Sequence, residues 1–159
     1  KLSQAKAYWQ QLPSHLTKQE ELIMIWLQQL VSAQQLEAAE QLLTKSLKNS
    51  WSAGLITQLG LLPASPNCKK HLVLAQSWLK KRPNDAALLH CLGRISQKLQ
   101  QWEAALDYYL ASHKISPQHS LCLEISLLYT ALGRLEEAKF YNQQAILAMQ
   151  KQLTKLPLP

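Results

Sequence analysis

His90 and Cys91 are the one place in this 159-residue chain where two good metal or haem ligands adjoin. Successive helical residues point about 100° apart, so the pair cannot easily share one ligand geometry, and no metal is expected there. Cys68, Cys91 and Cys122 form neither a C-x-x-C pair nor a zinc spacing. They read as small buried hydrophobes on helices and weakly favour a reducing compartment. Acid-base chemistry finds equally little support. Glu20-Glu21, Glu103 and Glu136-Glu137 fall at helix starts, where carboxylates complement the helix dipole rather than work as a paired acid and base. No glycine-rich phosphate loop follows a strand, and Ser, His and Asp show no nucleophile setting. The residues that could do chemistry therefore predict no catalysis and no cofactor.

The formal charge of +7 is scattered along the chain. Its densest group, Lys80-Lys81-Arg82, is expected in the last turn of a helix before Pro83, where cations suit the negative end of the dipole. Contact with anionic lipid or an acidic partner is the alternative. Aromatic residues do not interleave with the basic ones, which argues against nucleic acid. No run of about 18 apolar residues marks a membrane span, and Lys1 opens no signal peptide. A start without methionine reads as a fragment or a processed chain.

Leu, Ala, Gln and Lys dominate, glycine is scarce, and no two-residue alternation or Asn-Gly turn appears, so the elements are helices. Ala5 to Trp9 belong to a first helix ending near Leu12-Pro13, and Thr17-Lys-Gln-Glu20 is a capping box opening the next. Trp26, Trp78 and Trp102 stand at apolar helical spacing and are expected in the core. Leu156-Pro157-Leu158-Pro159 cannot continue a helix and is expected to be a loose tail.

The helices repeat. Leu36-Glu-Ala-Ala39, Trp102-Glu-Ala-Ala105 and Leu135-Glu-Glu-Ala138 place alanines 66 and 33 residues apart. Leu89, Leu92-Gly93, Ala105, Tyr109 and Pro117 match the pattern of the tetratricopeptide repeat, with Ser96 in place of the usual Tyr. Gly93 and Ala105 would let two helices cross closely, Tyr109 would fill the gap toward the next repeat, and Pro117 would stop the second helix. Gly60 and Pro83 stand about one period earlier. The expectation is a single all-α domain, a right-handed α-solenoid of helix pairs: an N-terminal helix over 1–16, repeats over 17–49, 50–83, 84–117 and 118–151, and a tail over 152–159. Four repeats exceed the roughly three that a stable stack requires.

The tetratricopeptide resemblance implies a ligand on the concave face lined by the first helix of each pair. With Ala86 as first position, the groove positions become Ala87, His90, Arg94, Gln97 and Lys98. Arg94 can hold a carboxylate through two parallel hydrogen bonds, from a protein C-terminus, an acidic side chain or a porphyrin propionate. A solvated helix face is the bland alternative. Further landmarks are Trp9-x2-Leu12-Pro13, Leu59-Gly60-Leu61-Leu62, Trp78-Leu79-Lys80-Lys81-Arg82-Pro83 and Leu88-Leu89-x2-Leu92-Gly93-Arg94. Their order, from Trp9 to about Ala148, resembles the C-terminal domain of HemY, the bacterial haem-biosynthesis-associated family. That resemblance implies inner-membrane helices upstream, absent from these residues, and a soluble domain on the cytoplasmic side. It implies a non-catalytic scaffold that holds haem-pathway enzymes together or touches haem or porphyrin weakly. A tetratricopeptide adaptor in envelope assembly or secretion, and a porphyrin carrier, are the alternatives.

Overall fold

The computed structural model describes residues 2–153, with side chains for 3–151. The described residues are helical throughout: α1 (Leu2–Gln11), α2 (Glu20–Ser32), α3 (Leu36–Asn49), α4 (Ala53–Leu61), α5 (Cys68–Leu79), α6 (Ala86–Lys98), α7 (Trp102–Ile115), α8 (His119–Ala131) and α9 (Leu135–Leu153). The period reads as one continuous domain; by packing, the chain divides between Asn67 and Cys68 into two compact units. α9 runs to Leu153, and the rest of the expected tail lies outside the described residues.

In the first unit, α2 buries Ile23, Trp26, Leu27 and Leu30, the spacing of one helical stripe, against Ala39, Leu43 and Leu47 of α3. Ser52 caps α4 by accepting from the Leu55 amide at 3.2 Å. The link after α4 is not a tight turn. Its residues Ser65 and Asn67 donate side-chain hydrogen bonds to the buried carboxylate of Glu40 on α3, the Asn67 bond at 2.8 Å. A carboxylate inside an apolar unit needs such donors, and they fix the loop in return.

In the second unit, α6 and α7 cross closely, as do α8 and α9. Asp85 caps α6 through the Leu88 amide at 2.9 Å. Ala105 and Ala138 are buried at these crossings, as Ala39 is between α2 and α3. Tyr109 is fully enclosed, and a Cβ on Gly93 would collide with its ring, so the close approach requires glycine there. Ser96 is fully buried on α6, and its hydroxyl has no hydrogen-bond partner among the described residues.

The period is also written in the backbone. Gln34, Gln100 and Gly133 take left-handed φ values of 58°, 59° and 73°, with the same spacing as the three alanines. At each of these turns the next amide reaches back five residues, Gln35 to Leu30, Gln101 to Ser96 and Arg134 to Tyr129, at 2.8–2.9 Å. This is the closure that caps a helix C-terminus while turning the chain. Each crossing alanine follows its left-handed residue by five positions, so one turn geometry sets three crossings.

Three expectations are corrected. Thr17 does not cap α2: its hydroxyl donates to the Ser14 carbonyl at 3.1 Å, and Gln19 is the N-cap without a side-chain bond. Lys80, Lys81 and Arg82 follow α5 rather than forming its last turn, and the amides of Lys81 and Arg82 close the helix end on the Trp78 carbonyl. Trp102 is 41% exposed instead of in the core, because it is the first residue of α7 and side chains lean toward the helix N-terminus.

Ala105→Leu should overpack its crossing and cost about 1–3 kcal/mol. Gln100→Gly should stabilise by about 0.5–1 kcal/mol, since glycine adopts the left-handed turn without strain. Urea titration of both variants checks the pair. An unchanged midpoint for Ala105→Leu would mean that the crossing is not close-packed.

Candidate functional site

α6 buries Leu88, Leu89, Cys91, Leu92, Ile95 and Ser96, which leaves a narrow stripe for polar side chains. His90, Arg94 and Lys98 recur at four-residue steps, and Gln97 stands one turn after Arg94, so all four share that stripe. Ala87 is half-buried at its start.

The stripe faces α8. The Arg94 guanidinium grips Glu124 with two hydrogen bonds, Nε to Oε2 at 3.0 Å and an Nη to Oε1 at 2.6 Å. His90 Nε2 donates to Glu124 Oε1 at 2.9 Å. Gln97 Oε1 accepts from the Tyr109 hydroxyl at 2.7 Å, and the Tyr109 ring meets His90 edge-on at 5.7 Å. Arg94 thus does hold a carboxylate bidentately, and that carboxylate belongs to the next helix pair of the same chain. Gln97 remains exposed, and Lys98 is half-buried at the end of the stripe.

Burial alone would raise the Glu124 pKa; the hydrogen bonds and charge of His90 and Arg94 outweigh it and hold the carboxyl down at about 2. Burial works against the Arg94 charge as well, yet Glu124 raises its pKa. Burial drives the Tyr109 hydroxyl upward, with the Glu124 charge adding to the effect. Behind the stripe, burial pushes the Cys91 thiol up to about 12, although Lys98 and Arg94 pull it down. A thiol so protonated is no nucleophile.

Sequence reasoning missed Glu124. Its signal was present, since it is the only charged residue between His119 and Ala131 and follows Arg94 by 30 residues and His90 by 34. A second pairing also went unseen: Cys122 Sγ lies 3.6 Å from His113 Nδ1. Burial raises the thiol pKa and lowers that of the imidazole, so both groups are held neutral rather than as a reactive ion pair. Among the described residues no cluster of three or more His, Cys, Asp or Glu could hold a metal ion, and no helix is long and apolar enough to cross a membrane.

No family model matches the chain. Tetratricopeptide repeat protein 21A of Mus musculus and protein 21B of Xenopus laevis are each 33% identical to it over 78 residues. The match takes in 49% of this chain and 6% of either relative, so the chain spans a small part of their length. Among solved structures, MamA 41-end from Desulfovibrio magneticus RS-1 superposes with a TM-score of 0.64 at 13% identity, covering 94% of this chain and 86% of that one. MamA MSR-1 C2 gives 0.62 at 18% identity, covering 94% and 88%. The chain shares an all-α, helix-pair fold with these structures and a 78-residue stretch of similarity with tetratricopeptide repeat proteins.

Arg94→Ala strands a partly buried carboxylate and should cost about 2–4 kcal/mol of folding stability. Lys114→Ala, at an exposed position on α7, should change it by less than about 0.5 kcal/mol. The Glu124 pKa is depressed from an ordinary 4.5, so its stabilisation is complete above that pH and is lost as pH falls through about 2. Denaturant titrations between pH 7 and 2 check both: the gap between wild type and Glu124→Gln should close over the acid range.

Proposed function

We propose that this chain is a non-catalytic docking scaffold that takes a peptide segment of a protein partner on the first-helix face of its C-terminal helix pairs. One observation carries the reading. Subtracting the 33-residue period from Leu123 and Leu127 of α8 gives His90 and Arg94, and the two leucines are 39% and 70% exposed. Two leucines left in water at groove positions of a repeat fold favour an apolar ligand side chain. With the Arg94 and Glu124 charges spent on each other, recognition falls to Leu123, Leu127, Gln97 and Lys98, with His90 and Arg94 as the rigid wall behind them.

The finer assignment rests on the order of landmarks from Trp9 to Ala148. Their resemblance to HemY supports a place beside the enzymes of late haem biosynthesis, at the cytoplasmic side of a bacterial inner membrane and tethered by an upstream anchor. The relatives found support a tetratricopeptide adaptor without naming its pathway.

Capture from solubilised bacterial membranes, wild type against Leu127→Asp, tests both levels. The aspartate should remove the specific partner, with an unchanged thermal melt because the side chain is already exposed. Equal capture by both proteins refutes the docking face. Late haem-pathway enzymes among the lost partners uphold the finer assignment, and their absence from that set refutes it.

A further inference from the structure

The first unit contains a cleft of about 520 Å³ bounded by α1, α2 and α3, within the size range of small-molecule sites. Its apolar wall comprises Trp9 of α1, Trp26 and Leu30 of α2, and Ala38 and Leu42 of α3. The two indoles are nearly parallel, at 14°, with ring centroids 5.7 Å apart. They are packed on each other, so a ligand must lie along their edges rather than between them.

The polar lining has one sign. Lys6 stands three residues before Trp9 on α1, and Lys45 continues the Ala38, Gln41, Leu42 face of α3 by one further turn. Three glutamines and Ser3 complete the lining, and among the described residues neither Asp nor Glu belongs to it. Of the lining amides, Gln41 donates a long 3.5 Å bond to the Glu37 carboxylate. Two ammonium groups beside an aromatic wall, with amides that can donate or accept, complement a molecule that is apolar over most of its body and anionic at one end.

We infer that this cleft binds a small amphipathic organic anion, its apolar body on Trp9, Trp26 and Leu30 and its carboxylate or sulfonate held by Lys6 and Lys45. The site uses none of the residues of the docking face, so either can fail while the other stands.

The full chain is titrated with 8-anilinonaphthalene-1-sulfonate, followed by probe emission and tryptophan quenching, and with neutral N-phenyl-1-naphthylamine, which has the same body without the charge. The sulfonate should bind one to one and saturably, at least about ten-fold tighter than the neutral probe, and should weaken as salt screens the lysines. Lys6→Gln/Lys45→Gln should lose about ten-fold in affinity with an unchanged thermal melt, because both positions are exposed, whereas Lys114→Gln should bind as wild type. Trp9→Ala should reduce the quenching. Equal affinity for the two probes, or wild-type binding by the double lysine variant, would overturn the proposal.

Discussion

The ring of Tyr109 lies against the α-carbon of Gly93, and the arrangement of the second unit follows from that contact. It lets α6 and α7 approach to the distance at which Ala105 seals the crossing. It sends the Tyr109 hydroxyl across to Gln97 and sets the ring edge against His90. His90 and Arg94, on the same stripe, then meet Glu124 of α8. One missing side chain thereby decides where four polar side chains stand.

That dependence explains what could be read from the sequence. Gly93, Ala105 and Pro117 are determined by sterics within a single helix pair, and their types and spacing state the crossing directly; Tyr109, read as a filler toward the next repeat, both packs with Leu121 and Ile125 of α8 and lies on Gly93 of its own pair. The cysteines were legible for a similar reason, since a small apolar thiol without a paired spacing belongs in a core, where all three lie. Glu124 stood out only as the lone charge of α8; its pairing was not legible because it depends on which face of α8 turns to α6, a property of two packed pairs rather than of one. Thr17 misled because a hydroxyl in a turn has competing local acceptors, and the Ser14 carbonyl won. Trp102 misled because periodicity counts a residue's phase but not its place at a helix end, where no earlier turn covers it. The segment after α4 departs from the period because a distant carboxylate, Glu40, organises it.

Charge in this protein is handled by short internal pairings instead of a uniform field. Arg94 is matched to Glu124, and Arg134 lies over the Tyr129 ring at 4.8 Å while also reaching Glu137 at 3.2 Å. Such contacts fix arginine geometry and remove it from the pool available to ligands. Most of the remaining positive charge is carried by lysines, point charges on flexible stems.

The turn shared by Gln34, Gln100 and Gly133 has a consequence for the protein as an assembled object. Its backbone hydrogen bonds and the five-residue step to each crossing alanine are the same three times over, whatever side chains surround them. It is a standardised joint. Helix pairs exchanged with that joint inside them, by recombination in nature or by gene synthesis, would bring their own faces while keeping the coupling that orients the second helix on the first. A chain built this way can change what it displays without learning again how to fold.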